Sequence, residues 1–128
     1  MAWNNYNKYG NKKSTIDGMT FDSKKEAQHY LNLKLLEKGG VIKNLQTQVK
    51  YVLIPAQYEG TGEYYKKGIH KGEEKKRLVE HEISYVADFV YEQDGETIVE
   101  DTQGYRPDIY IAQRKMMLYF HGIKIKEI

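Results

Sequence analysis

Two aspartates, Asp88 and Asp101, stand thirteen residues apart on either side of an Asp94-Gly95 pair, each within a run of strand-forming residues. Asp-Gly between two such runs is a strong signal for a two-residue hairpin turn. A turn centred there sets positions 88 and 101 directly opposite one another on neighbouring strands, with carboxylates about 5 Å apart. Unaided, two like charges at that spacing destabilise a fold and drive one pKa upward, whereas a divalent cation between them removes the conflict. Val86, Ala87, Phe89 and Val90 around Asp88 argue against a merely exposed strand residue. Gln103, two positions beyond Asp101, shares its face if the strand continues, and its amide can orient a water without supplying a full positive charge. Glu100 points to the opposite face and reads as a solvated or supporting group, unless a bulge near Gly104 exchanges it with Asp101. A third carboxylate, Glu26, lies one turn into a helix that starts near Lys24. With Ser23 it also makes a capping box, and the two roles are compatible.

The elements that must position these groups follow from periodicity. Ala27, Tyr30, Leu31, Lys34, Leu35 and Lys38 continue an i, i+3, i+4 pattern that Leu33 and Leu36 widen, and Gly39-Gly40 supplies the stop, giving a helix of roughly fifteen residues or about 22 Å. Val41 to Ile54 reads as two short strands or one bent strand before Pro55 interrupts the ladder. Ala56 to Arg77 is rich in Gly, Tyr, Lys and Glu and is predicted to be a long exposed hairpin loop or flap, the most mobile internal segment. Leu78 to Tyr91 reads as one long strand, with Val86, Asp88 and Val90 on one face and Tyr85, Ala87 and Phe89 on the other. Thr97 to Asp101 returns alongside it. Pro107 suits the first turn of a second helix, with Ile109, Ala112, Met116 and Phe120 as its apolar stripe and Arg114 and Lys115 beside it, closed by His121-Gly122. Ile123 to Ile128 alternates as a final strand. The succession predicts an α/β (α+β) fold in which helices cover a mixed sheet. Residues 1–22 read as a basic, partly irregular N-terminal arm with a turn at Asp17-Gly18, and residues 23–128 as a single domain.

With 128 residues and no cysteine, the chain has room for one core, no disulfide framework, no thiol catalysis and no Cys-ligated zinc. The formal net charge is only +2, but it is unevenly spread. Residues 1–50 hold nine Lys against four acids, residues 51–100 six Lys/Arg against eleven acids, and residues 101–128 five against three. A basic beginning around an acidic middle is how a metal-dependent enzyme acting on nucleic acid is charged, and it is also what segregated solvated faces look like. No apolar run reaches the roughly 18 residues of a membrane span, and the polar start lacks the apolar stretch of a signal peptide, so a cytoplasmic protein without a membrane partner is the expectation. His29, His70, His81 and His121 form no zinc motif, Ser14, Ser23 and Ser84 sit in no nucleophile elbow, and no phosphate-binding glycine loop or other small-molecule cofactor signature is present. Trp3, Tyr6 and Tyr9 interleave with Asn and Lys in a way that suits stacking on unpaired bases or packing against a partner chain.

The runs TFDSKKEAQHYLNLKLLEKGGVIKNLQTQVKYVLIP, ISYVADFVYEQDGETIVEDTQG and YFHGIKIKEI resemble a phage- and prophage-borne family known only as a domain of unknown function and, through it, the PD-(D/E)xK nuclease superfamily. The resemblance spans residues 8–128 and is weakest near 57–77. It implies a restriction-endonuclease-like αβββαβ core and Mg2+-dependent phosphodiester hydrolysis, with Mn2+ as a substitute, by analogy with Holliday-junction resolvases and restriction endonucleases. By position, Asp88 would be the first metal-binding aspartate, Asp101 the second acidic ligand, Glu26 the helix-borne acid and the Thr102 carbonyl a further ligand. The resemblance also implies DNA, branched DNA in particular, as partner, a homodimer, and a bacterial host cytoplasm if the gene is phage-borne. Gln103 departs from the superfamily pattern, which has Lys there. Some restriction enzymes resemble this chain in using Gln, and Arg106, Arg114 or Lys115 is an alternative cation; a lost one costs a few kcal/mol of transition-state stabilisation. In the active form Gln103 would position the attacking water, Lys12, Lys13, Lys24 and Lys25 would neutralise DNA backbone, and the segment 60–77 would clamp the DNA. The expected function is therefore a Mg2+-dependent DNA endonuclease serving phage recombination or replication. The alternative is a non-catalytic DNA-binding or phage-interaction module on a degenerate nuclease fold.

Overall fold

Ser23 and the paired glycines delimit the first helix as the sequence anticipates. The computed structural model describes residues 14–102 and 107–128. Helix α1 (Lys24–Lys38) begins where the Ser23 hydroxyl accepts the Glu26 N–H at 3.1 Å, and it ends before Gly40, whose φ of 78° is one that glycine adopts at little cost. Ahead of it, β1 (Ser14–Ile16) and β2 (Met19–Phe21) form an antiparallel hairpin about Asp17-Gly18. The described end of the N-terminal arm is thus regular rather than irregular, because Phe21 anchors it in the core beside Ala27 and Tyr30. Residues 1–13 lie outside the described residues.

The bent-strand reading of the next segment holds, as one strand, β3 (Lys43–Ile54). Two other expectations change. Residues 56–77 form an exposed hairpin, but most of it is strand rather than loop: β4 (Gln57–Tyr64) and β5 (Glu74–Glu80) pair with each other as a separate two-stranded ribbon around a loop at 65–73. The predicted long strand from Leu78 to Tyr91 is therefore two strands, since Leu78 to Glu80 belong to β5 and β6 (Ile83–Gln93) begins after His81-Glu82. The two pieces pair with different partners, β4 and β3, and no single straight strand can satisfy both ladders. Strand β7 (Glu96–Asp101) follows the Asp94-Gly95 turn, whose φ values of 52° and 80° are the positive pair a type I′ hairpin turn requires. Helix α2 (Asp108–His121) and β8 (Lys126–Glu127) complete the chain.

Among the described residues the fold is mixed α+β, with two helices, eight strands and a four-stranded mixed sheet in the order β3-β6-β7-β8. Strands β3, β6 and β7 run antiparallel in sequence, and β8 lies parallel to β7 after the crossover through α2. The helices cover opposite faces. Phe89, Tyr91 and Ile42 pack with Ala27, Tyr30 and Leu33 on the α1 side, and Tyr85, Ala87, Val90 and Val99 pack with Tyr110 and Met117 on the α2 side. Each fully buried side chain of this size contributes about 1.5–3 kcal/mol. No helix among the described residues is long and apolar enough to cross a membrane.

The alternation expected along β6 fails at Asp88. Ala87 faces α2 and Phe89 faces α1, although residues two apart in a regular strand share a face. Strand β3 does the same directly across the ladder, with Leu45 on the α1 side and Val49 and Tyr51 on the α2 side. Pairing continues through this point, Thr47 with Phe89 and Val49 with Ala87, so Gln48 and Asp88 mark a matched switch of faces in both strands. Gln48 accommodates it with φ 54°. Val86 before the switch is exposed and Val90 beyond it is buried, yet both are apolar, which is why the sequence did not betray the switch.

The apolar stripe expected on α2 is also displaced. Its buried residues are Tyr110 and Met117, while Ile109 and Phe120 are 59% and 52% exposed. Tyr110 faces the core because its hydroxyl reaches Glu127 of β8 at 3.3 Å, a handle that Ile109 lacks.

Candidate metal and active site

The β6–β7 register pairs Phe89 with Glu100 and Val90 with Val99, the count the hairpin arithmetic predicts, and the ladder ends there, one step before Asp88 and Asp101. Their carboxylates have different partners. Asp88, at the switch of faces, accepts the Thr102 N–H at 2.9 Å and the Thr102 hydroxyl at 2.7 Å on Oδ2. Its Oδ1 faces Gln48, whose Nε2 lies 3.5 Å from Asp88 and 3.3 Å from Glu26 Oε1. Gln48 is therefore a bridge between an acid of α1 and an acid of β6. Asp101, only 1% exposed, lies on the α2 side and accepts a hydrogen bond from the Tyr85 hydroxyl.

The electrostatics join the three acids into one cluster. Burial pushes the Glu26 pKa up to about 7, helped by the charges of Asp88, Asp22 and Asp101 and opposed by a backbone hydrogen bond at Asp22. The side chain is 4% exposed. The Tyr85 phenol is raised far above its usual range, first by burial, then by its bond to Asp101 and by the Asp101 and Asp88 charges. Both aspartates thus act on groups of both faces, Glu26 toward α1 and Tyr85 toward α2.

A sequence profile described as "Protein of unknown function (DUF1064)" matches residues 6–127. The chain belongs to the DUF1064 family. No curated protein and no solved structure matches it.

In this family member the structure links Glu26, Asp88 and Thr102 through hydrogen bonds by way of Gln48, and sets Asp101 against Tyr85 on the α2 side. Thr102 acts through its N–H and hydroxyl, whereas its carbonyl was the expected ligand atom. The Glu26 N–H meets the Ser23 hydroxyl, one half of the expected capping box, while its carboxyl meets Gln48. Glu100 does take the face opposite Asp101, but it is buried at 1% exposure rather than solvated: it faces His29 of α1 at 2.9 Å and Lys126 at 3.6 Å. Lys24 and Lys25 are exposed on the first turn of α1, next to Glu26. Arg114 is engaged, with Nη1 2.8 Å from Glu127 Oε1, and so clasps α2 to β8, and Lys115 is exposed on α2. Gln103, Arg106, Lys12 and Lys13 lie outside the described residues. Gln48 and Tyr85 are the participants that sequence reasoning missed. Gln48 is legible only once the β3–β6 register is known, and the intervening ribbon conceals that register.

The donor set, carboxylate oxygens of which Glu26 has its pKa raised to about 7 chiefly by burial, suits a hard divalent cation. It is not preformed as a cage: among the described residues no three acidic or histidine groups converge as a metal centre. Glu26 and Asp88 share the Gln48 amide, while one oxygen of Asp101 is held by Tyr85.

Proposed function

We propose that the chain is a Mg2+-dependent DNA endonuclease of the PD-(D/E)xK kind, acting on branched DNA during phage recombination or replication in a bacterial cytoplasm. The observation that carries this reading is the Gln48 amide set between the carboxylates of Glu26 on α1 and Asp88 on β6, with buried Asp101 on the adjacent β7. The succession α1, β3, β6, β7, α2, β8 supports it, being the αβββαβ order that the resemblance implies. Glu26, Asp88 and Asp101 are the residues that would hold the ion. When bound, Mg2+ supplies polarisation of the scissile phosphate and a water of lowered pKa. Gln48 aligns the Glu26 and Asp88 carboxylates, and Thr102 fixes the rotamer of Asp88 through two donors. Glu26, with a pKa of about 7, gives or takes a proton readily at neutral pH. Lys24 and Lys25 suit backbone phosphates beside the cluster. Ile109 and Phe120, about 20° apart around α2, leave exposed apolar groups on one face of that helix, which favours a homodimer for cutting two strands.

The Tyr85–Asp101 bond favours a second reading, a DNA-binding module that retains the fold without turnover, because the phenol occupies a carboxylate oxygen the nuclease would use. Labelled four-way junction, flap and duplex, incubated with Mg2+ or Mn2+, separate the two. The nuclease cuts at least one substrate, and Asp88→Asn and Asp101→Asn abolish cutting. Salt-sensitive binding without cutting, undiminished in the Asn variants, leaves the module.

A further inference from the structure

Among the described residues the β4–β5 ribbon belongs to neither core cluster and pairs with no other strand. Its tip is a closed loop. The Tyr65 N–H donates to the Glu73 carbonyl at 3.0 Å, the Gly72 N–H to the Tyr65 carbonyl at 2.9 Å and the Lys71 N–H to the Gly68 carbonyl at 3.1 Å. Gly68 and Gly72, with φ of 86° and 88°, make those turns. On this ordered loop Lys66, Lys67 and Lys71 are exposed and no acid occurs from residue 64 to 72. At its apex Ile69 is 92% exposed, the most exposed of the large hydrophobics. Across residues 59–77 six Lys/Arg stand against four Glu, two of which face His70 at 2.9 Å and Arg77 at 3.1 Å, so the ribbon keeps a net positive charge.

We propose that this ribbon is a DNA-contacting arm whose tip sets Lys66, Lys67 and Lys71 on duplex phosphates and Ile69 against the groove. The inference rests on DNA being the substrate. Two strands about 4.8 Å apart match the roughly 12 Å wide major groove, which admits a β-ribbon. An apolar apex flanked by cations suits the edge of a base step between two phosphate rails better than it suits water. The arm also springs from the strand pair that carries the acidic cluster. Ile54 of β3 and Ile83 of β6, at its base, are ladder partners, and Asp88 lies five residues along β6, about 17 Å away. A grip at the tip would thereby fix where the duplex lies relative to Asp88.

Each phosphate contact is worth up to about tenfold in affinity at 0.1 M salt and about 0.9 in the slope of log K against log salt. The test is fluorescence anisotropy with a labelled duplex and a labelled junction, in an Asp88→Asn background with Mg2+ present, alongside cleavage by the wild type. Lys66→Ala, Lys67→Ala and Lys71→Ala combined should weaken binding at least about tenfold and lower the salt slope by about 2 to 3, with unchanged thermal stability. A charge-matched control, Lys38→Ala, Lys43→Ala and Lys124→Ala combined, should do neither. Ile69→Ser should weaken binding with the slope unchanged. Tip and control triples with equal effects overturn the arm while leaving the nuclease reading standing. A tip effect in a protein whose wild type never cuts keeps the arm and removes the nuclease. A wild type that binds no DNA, or binds RNA or protein through this tip instead, overturns the arm.

Discussion

Glu26 is a buried acid whose environment is set by other acids, and replacing it with the neutral isostere Gln should stabilise the protein in a pH-dependent way. Its pKa is about 7 in the folded chain against an ordinary 4.5. Between those values the folded state holds a proton that the unfolded state has released, so stability falls as pH rises from about 4.5 to 7 and stays lowered above that. A displacement of about 2.5 units corresponds to about 3 kcal/mol at pH 8, and to under about 1 kcal/mol at pH 5. Glu26→Gln removes the penalty while keeping an oxygen for the Gln48 amide. Urea denaturation of wild type and variant at pH 5 and pH 8 reads the difference of differences, in which every other titrating group cancels. The variant should gain about 2 kcal/mol more at pH 8 than at pH 5, with m unchanged. An equal effect at both pH values, or a net loss at pH 8, would refute a buried Glu26 with its pKa raised to about 7.

Two further substitutions probe the groups that hold the acids. Tyr85→Phe takes a hydroxyl donor from buried Asp101 and should cost about 1.5–3 kcal/mol in urea denaturation, and an unchanged midpoint would mean that the bond carries no weight. His29→Ala removes the partner that faces buried Glu100 across α1 and β7, and should cost about 1–3 kcal/mol by the same measurement, whereas Lys25→Ala on the exposed first turn should stay within about 0.5 kcal/mol.

The first helix, the Asp94-Gly95 hairpin and the register of its strands were legible because each rests on local chemistry: a cap, a type I′ turn and a count across it. The ribbon at 57–80 was not, because Glu, Lys, Gly and Tyr in alternation carry no apolar face by which a strand declares itself. The face switch at Gln48 and Asp88 was hidden for the opposite reason, since every position around Asp88 is apolar. The displaced stripe of α2 shows a polar handle prevailing over hydrophobicity. Tyr110 is drawn inward by Glu127, and Ile109, the more apolar residue, is left outside. For the site, residue type and spacing found the three acids, but Gln48 and Tyr85 reach them only through strand pairing and through the packing around α2, which no local pattern encodes.

The most direct test of the acidic cluster as a cation site is calorimetric titration of the full chain with Mg2+ and with Mn2+ at pH 7, in two buffers of different ionisation enthalpy. Glu26 is about half protonated at that pH, so binding should release about half a proton per ion and should disappear in Asp88→Asn. Absence of binding by the wild type, or binding of equal strength and proton release in Asp88→Asn, would contradict the assignment.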